Sequence, residues 1–337
     1  MKLRTISFAV LWMCGCSAEP PRTSTGEQGL MRMQGTQLQG VQLQGTQAQH
    51  MTIVGFQYAG ATLDGAALTS VRIEQGELVA EQGPATLRGT ALFGAHLFAQ
   101  AHDPDHPSST ALIEYRINGV EAEAAANDPT GTGGTYLYTL EQNVDGTDDW
   151  QAACLADSDG KQVAIPLTAT WDDRGNRVAS STLFTFGCTS GAVAKCYRWG
   201  YRPWVTGHGD LVAAHWTCTR VARADYCGNG KSHTRDNTMI NVWDRLPSPG
   251  PIQAHGTTPI GMLFEAGWDT RGAVCFSHAR WLLSGPLIAL GCPGRLIAPG
   301  LLILNATVCD TIPQVLGQAA DATIFDESDL NLNLDLF

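Results

Sequence analysis

The sequence predicts an α+β, β-rich protein in three unequal parts: a short repeat stalk, a small antiparallel β-domain and a disulfide-stapled α+β module. Three observations carry this reading. Apolar and glycine residues recur every five positions over 30–99, short β-branched and aromatic runs separated by turn residues fill 100–190, and a Cys- and Trp-rich segment over 191–328 holds one well-capped helix pattern. With 37 Gly and only 16% charged residues, the composition suits a compact β-rich body better than a helical bundle. A chain of 337 residues has room for two or three domains. The net charge of -11, with no cluster of Lys and Arg, argues against a nucleic-acid partner, because that binding depends on cations that neutralise phosphates.

Residues 1–15 read as a signal peptide: Lys2 and Arg4 give a positive start, and residues 6–13 give an apolar run too short to span a bilayer. Gly15 followed by Cys16 resembles the site that bacterial lipoprotein signal peptidases recognise, which implies lipidation of Cys16 and a membrane as partner. Met13 stands where Leu is usual and Cys14 is an odd neighbour, so cleavage without lipidation is the alternative. Ser17, in place of an Asp, implies an outer-membrane lipoprotein over inner-membrane retention. Residues 16–29 are rich in Pro, Ser, Thr and Gly and read as a flexible tether. No later segment reaches ~20 apolar residues, so nothing beyond the lipid is expected to span a membrane.

In the repeat segment, Leu38, Leu43, Ala48, Ile53, Tyr58, Leu63, Leu68, Ile73 and Leu78 hold one phase, and Gly35, Gly40, Gly45, Gly55, Gly60 and Gly65 another. The register slips by one residue and resumes at Leu87, Leu92 and Leu97. The pattern resembles the pentapeptide-repeat family, departing from it where Gln37, Gln42 and Gln47 replace the usual Asp or Asn. The resemblance implies a short β-helical stalk of about three coils. The alternative is an extended Gln/Gly-rich tether over 30–50 followed by ordinary strands from Ile53.

The β-domain rests on four runs, 111–117, 135–140, 163–171 and 181–186, with Asn118-Gly119, Asp145-Gly146, Asp159-Gly160 and Gly175-Asn176 as turns between them. In the module that follows, a helix is expected over 210–226, capped by Asp210 and stopped by Gly228; Leu211, His215, Cys218, Ala222 and Asp225 share one face. Two strand-like stretches then meet at Asp236-Asn237. Cys154, Cys188, Cys196, Cys218, Cys227, Cys275, Cys292 and Cys309 form an even set which, in an exported chain, reads as four disulfides. Cys154 with Cys188 is the favoured pair, since each lies near the end of a strand-like run; sequence cannot choose among the other connectivities. No CxxC and no Cys/His cluster has zinc-ligand spacing, so no metal and no cofactor is expected.

At the end of this helix Ala224, Asp225, Tyr226 and Cys227 resemble the signature of the bacterial ADYC-domain family. Residues 196–204 (CYRWGYRPW), Ser232-His233-Thr234, FEAGW at 264–268, GAVC at 272–275, Cys292-Pro293 and Arg295-Leu296 follow the same pattern, and the similarity extends over roughly 100–328. Asn229 departs from it where the family often has Asp. The resemblance implies export and a lipoprotein-like nature, and carries over no activity, ligand or catalytic residue.

Chemistry is limited by what the motifs lack. Gly230-Lys231-Ser232 ends like a phosphate-binding loop, but the first glycine of that motif would fall on Asp225 and the loop follows a helix, so no nucleotide is expected. Cys227 with His233 or His278 is a conceivable nucleophile pair, opposed by its expected disulfide. Asp225, His233, Asp236 and His278 are the candidates for acid/base work, although Asp225 at a helix C-terminus needs a cationic or amide partner of its own. No GxSxG or HExxH is present. His102, Asp103, Asp105 and His106, and residues 143–149, have metal-ligand types without a full ligand set. Trp199, Trp204, Trp216, Trp243, Trp268 and Trp281 could line a glycan cleft or fill cores. Residues 329–337 alternate as an acidic tail or edge strand. Two functions follow: a lipid-anchored extracytoplasmic protein with a non-enzymatic binding or envelope-structural role toward an envelope protein or glycan, or a secreted hydrolase of envelope polymers using a carboxylate/His pair near Cys227.

Overall fold

The computed structural model describes residues 30–32, 43–46, 48, 51–106, 108–123, 134–143, 146–235, 238–247, 249–281, 284–292 and 321–329. In chain order the strands are β1 (Leu30–Arg32), β2 (Thr52–Gln57), β3 (Thr62–Leu63), β4 (Ala66–Ala67), β5 (Thr69–Glu74), β6 (Glu77–Gln82), β7 (Ala85–Arg88), β8 (His96–His102), β9 (Thr110–Ala122) and β10 (Tyr136–Asn143). They continue through β11 (Trp150–Ala152), β12 (Val163–Leu167), β13 (Thr170–Trp171), β14 (Arg177–Val178) and β15 (Leu183–Cys188). Helices α1 (Ala192–Arg198) and α2 (Leu211–Arg223) come next, followed by β16 (Met239–Asp244), β17 (Met262–Asp269), β18 (Gly272–Phe276), α3 (Gly285–Gly291) and β19 (Ile324–Asp329).

Six strands close a barrel. β10 pairs with β12, β12 with β15, β15 with β2, β2 with β8, β8 with β9, and β9 returns to β10, every pairing antiparallel. The period-two alternation of strands sends Leu97, Ala99 and Ala101 of β8, Tyr115 and Ile117 of β9, Tyr138 and Leu140 of β10 and Phe184 and Phe186 of β15 to one interior, together with Phe56. Small alanines on β8 leave room for the rings: Phe56 lies 4.9 Å from Tyr115 and 5.0 Å from Phe186, centroid to centroid. Side chains fill the barrel, so it is a packed core and not a channel. β12 reads as a continuous apolar run because both faces are covered: Ala164 points inward, while Val163, Ile165 and Leu167 lie under Val193, Ala194 and Tyr197 of α1.

This barrel overturns the expected α+β architecture with a repeat stalk. β2 and β8, drawn from the five-residue repeat, are two of the barrel's six staves, and β5, β6 and β7 form a separate three-stranded sheet. The repeat phase did mark inward residues, since Ile53, Leu63, Leu68, Leu78, Leu92 and Leu97 are buried. The reason for the difference is burial: so few coils leave a large share of a solenoid's apolar residues at its open ends, whereas pairing with β9 and β15 seals them. The helical share is small, with α1 and α3 of seven residues each. Asn118-Gly119 is not a turn either. β9 runs straight through it, and the register against β10 shifts there, a bulge within one long strand.

Beyond the barrel lies a five-stranded antiparallel sheet in the order β1-β16-β19-β17-β18, with α2 packed against it. α2 begins as expected, its Ala213 amide donating to the Asp210 carboxylate at 3.0 Å. It ends sooner: Ala224, in the left-handed conformation at φ 50°, is the cap, and Gly228 belongs to the next turn. Disulfides join Cys154 to Cys188, Cys196 to Cys218 and Cys227 to Cys292. Cys275 is disulfide-bonded as well. The first of these is the pair favoured from sequence. Cys16 with the segments expected to be signal peptide and tether, the repeat positions Gly35, Leu38 and Gly40, Cys309, Asp236 and residues 330–337 lie outside the described residues.

Candidate functional site

The turn after α2 gathers most of the candidate residues. Asp225 is buried and forms an ion pair with Arg220, Nη1 to Oδ2, at 2.5 Å. Its carboxylate also accepts from the amides of Asn229 and Gly230 at 3.0 and 2.9 Å. Those are the amides a phosphate would have needed, so the carboxylate occupies its own cradle. Arg220 is a hub: it also donates to Arg174 O, to Asn176 Oδ1 at 2.8 Å and to Thr270 O at 3.2 Å, tying α2 to the 172–176 turn and to the β17–β18 hairpin. The hairpin must come very close. A Cβ on Gly272, whose φ is +115°, would stand 2.5 Å from Tyr226 O.

Tyr226 is fully buried, stacked on Trp268 with centroids 5.0 Å apart and edge-on to Phe276. Its hydroxyl donates to Glu265 Oε1 at 2.8 Å and accepts from the Arg280 amide at 2.8 Å. Arg280 grips Glu265 with two bonds of 3.0 Å, Asp326 with one of 2.7 Å and Val221 O with one of 2.9 Å. Trp268 Nε1 donates to the other oxygen of Asp326 at 2.7 Å. All three charged side chains are 0% exposed. Burial drives the Asp326 carboxyl well above its usual range, and the neighbouring Glu265 carboxylate adds to it. Burial also pushes Glu265 up, but the Arg280 guanidinium outweighs it and holds Glu265 below its usual range. One guanidinium therefore serves two acidic side chains whose titrations are driven apart, Asp326 upward by burial and the neighbouring carboxylate, Glu265 downward by Arg280.

A family model for the ADYC domain matches residues 89–282, more than half of the chain. The chain belongs to the ADYC domain family. No curated protein and no solved structure matches it.

Each letter of the ADYC signature thus has a structural task in this fold: Ala224 caps the helix, Asp225 holds Arg220 and the glycine turn, Tyr226 seats the Glu265–Arg280–Asp326 cluster, and Cys227 bridges to Cys292 below α3. The match starts at the turn before β8 and ends just after Arg280, so the partner carboxylate on β19 lies beyond it.

Of the predicted acid/base residues, Asp236 lies outside the described residues, and Asp225, His233 and His278 do not meet in an open cleft. His278 is packed with Nε2 3.1 Å from Ser328 Oγ, and His233 is half-buried with its ring 6.0 Å from Tyr226; burial lowers the pKa of both. Cys227 is bonded to Cys292 and cannot act as a free thiol. Asp103 turns on its own loop, accepting from the Asp105 amide at 2.8 Å and meeting His106 Nδ1 at 3.1 Å. Among the described residues no three His, Cys, Asp or Glu side chains converge as metal ligands. The six candidate tryptophans are dispersed: Trp243 and Trp268 fill the sheet's cores, Trp199 packs against the cluster between α2 and the sheet, Trp204 packs on Tyr197, Trp216 donates to Gly175 O and Trp281 lies 4.1 Å below Arg235. Sequence reasoning missed Arg280 and Asp326. They are 15 and 61 positions from Glu265, so no short motif joins them; the one hint was an acidic run, IFDESD, beginning with two large apolar residues.

Proposed function

We propose that this ADYC-domain protein is an extracytoplasmic lipoprotein, anchored through Cys16 to the outer membrane, with a non-enzymatic binding or envelope-structural role. The observation that carries the proposal is the fate of the reactive groups around the signature. Asp225 is buried in its pair with Arg220; Glu265, Arg280 and Asp326 are buried and committed to one another; and Cys227 is bridged, so these groups, which a hydrolase would present to a substrate, are spent on holding the fold. Disulfides in the body of the chain support export, because such bonds persist in oxidising compartments. Metabolic labelling with radioactive palmitate tests the anchor. Label should enter the wild-type protein and disappear in Cys16→Ala; label absent from the wild type, or retained in the variant, refutes it.

A further inference from the structure

The barrel's outer face carries a second polar constellation, far in sequence from the signature. Because Leu97, Tyr115 and Leu140 point inward, their neighbours point out, and the strand register aligns them. Phe98 of β8 pairs with Glu114 of β9, Asn143 of β10 donates to Glu114 Oε2 at 3.1 Å, and Asn143 pairs with Trp150 of β11. These four side chains form one row across four strands, about 14 Å from end to end at the usual strand spacing. A parallel row runs beside it, with His96 opposite Arg116 and Arg116 opposite Glu141.

The polar groups fix one another. His96 Nδ1 meets Glu114 Oε1 at 2.7 Å, Arg116 Nε donates to Glu141 Oε2 at 2.6 Å, Asn118 donates to Glu141 Oε1 at 2.9 Å, and the Arg116 guanidinium lies 4.5 Å from the Trp150 ring centre. Beside the first row opens a groove of about 580 Å³, lined by Phe98, Glu114 and Asn143 together with Met51, Ile113 and Leu112, the last 59% exposed. That volume lies within the range of small-ligand sites.

We propose that this face binds a neutral glycan. The inference rests on the reading of the protein as a binding module and names its ligand class. Rings at the two ends of the row offer flat apolar surfaces for the C–H faces of sugar rings, and the pre-oriented carboxylates, amide and imidazole between them offer acceptors and donors for hydroxyls. Charge disfavours an anionic ligand. Glu114 is hydrogen-bonded by His96 and Asn143 and Glu141 is paired with Arg116, and among the described residues of this face Arg116 is itself tied to Glu141 and Trp150, so it is not free for a phosphate. An acyl chain would have to cover hydrogen-bonded carboxylates and strip them of water.

Calorimetric titration of the full chain with cellohexaose, chitohexaose and maltohexaose, and co-sedimentation with purified peptidoglycan sacculi, test the proposal. The sacculi, whose peptide stems carry free carboxylates, are the anionic arm: binding to them with none to the neutral hexaoses overturns the proposal. At least one hexaose should bind saturably, and Phe98→Ala, Trp150→Ala and the isosteric Glu114→Gln should each weaken it tenfold or more while Val178→Ala, at an exposed site away from the face, leaves it unchanged. Retained denaturation midpoints confirm that the variants fold. Absence of binding to every probe, or binding that all three variants preserve, overturns the site while leaving the palmitate result intact. New reducing ends released from a bound hexaose would instead overturn the non-enzymatic reading.

Discussion

Inside the barrel Phe56, Tyr115, Tyr138, Phe184 and Phe186 meet chiefly one another, whereas the five-stranded sheet folds around Arg280, Glu265 and Asp326. The two regions are of similar make, antiparallel strands of five to eight residues for the most part, yet they spend burial differently. An apolar core loses stability in proportion to what is removed, because each contact is small and neighbours partly relax. A buried ionic cluster is closer to all or none, since removing one member strands the others without counter-charge in a medium that solvates them poorly. The ADYC signature lies at the second kind of core. That location gives a structural account of why such a short sequence pattern can mark the family: Asp225 and Tyr226 each fix a buried charged partner, Arg220 and Glu265, through which further elements are tied together.

The sharpest way to break this contrast is Arg280→Met, which keeps the volume and deletes the charge. Glu265 and Asp326 would then share an apolar site, and a cost of about 3–5 kcal/mol is expected. Urea denaturation followed by near-ultraviolet circular dichroism checks it. A loss below about 1 kcal/mol would show that the cluster contributes little and that the sheet behaves like the barrel.

A pH titration probes the seam between the two regions. His215 of α2 is fully buried, its Nε2 2.9 Å from Val193 O in α1 and its ring 5.7 Å from Trp171, while Nδ1 has no partner among the described residues. Burial lowers its pKa from 6.5 to about 4. Below pH 6.5 the unfolded chain takes up a proton that the folded chain refuses, so stability present above that pH is lost as pH falls toward 4, by roughly 3 kcal/mol in total. Asp326 acts in the opposite sense: its raised pKa favours the folded state at low pH and that contribution fades as pH rises above 3.8. The useful quantity is therefore the difference between wild type and His215→Gln, whose amide can still donate to Val193 O. Denaturation midpoints measured at intervals from pH 7 to 4 should converge as pH falls; parallel curves would mean that His215 titrates normally.

The sequence made the barrel's strands visible and hid their closure. Runs at 111–117 and 181–186 alternate in the way a half-buried strand must, and the Gly160 and Gly175 turns have the positive φ their sequence suggested. Closure depends on β2 finding β15 across more than a hundred residues, and a five-residue period describes strand and turn about as well as it describes a solenoid. The site was legible only in part. Asp225 needed a partner on helix-dipole grounds, and Arg220 is that partner; the Arg280 cluster is set by tertiary contacts that leave no local mark. The groove face was hidden because Glu114, Arg116 and Glu141 look like ordinary solvated strand positions until register places them side by side.

The smallest effect sharpens the comparison furthest. Ile117 of the barrel and Ile240 of the sheet are both fully buried, and each joins the apolar cluster of its own region. Ile→Val at either position removes one methyl group and should cost about 0.5–1.5 kcal/mol. If Ile117→Val and Ile240→Val fall together in that range, as measured by urea denaturation, the apolar part of the sheet behaves as the barrel does and the difference between the regions is confined to the charges. A cost at Ile240 several times that at Ile117 would place the sensitivity in the packing around β16 and β19, with the Arg280 cluster as only one part of it.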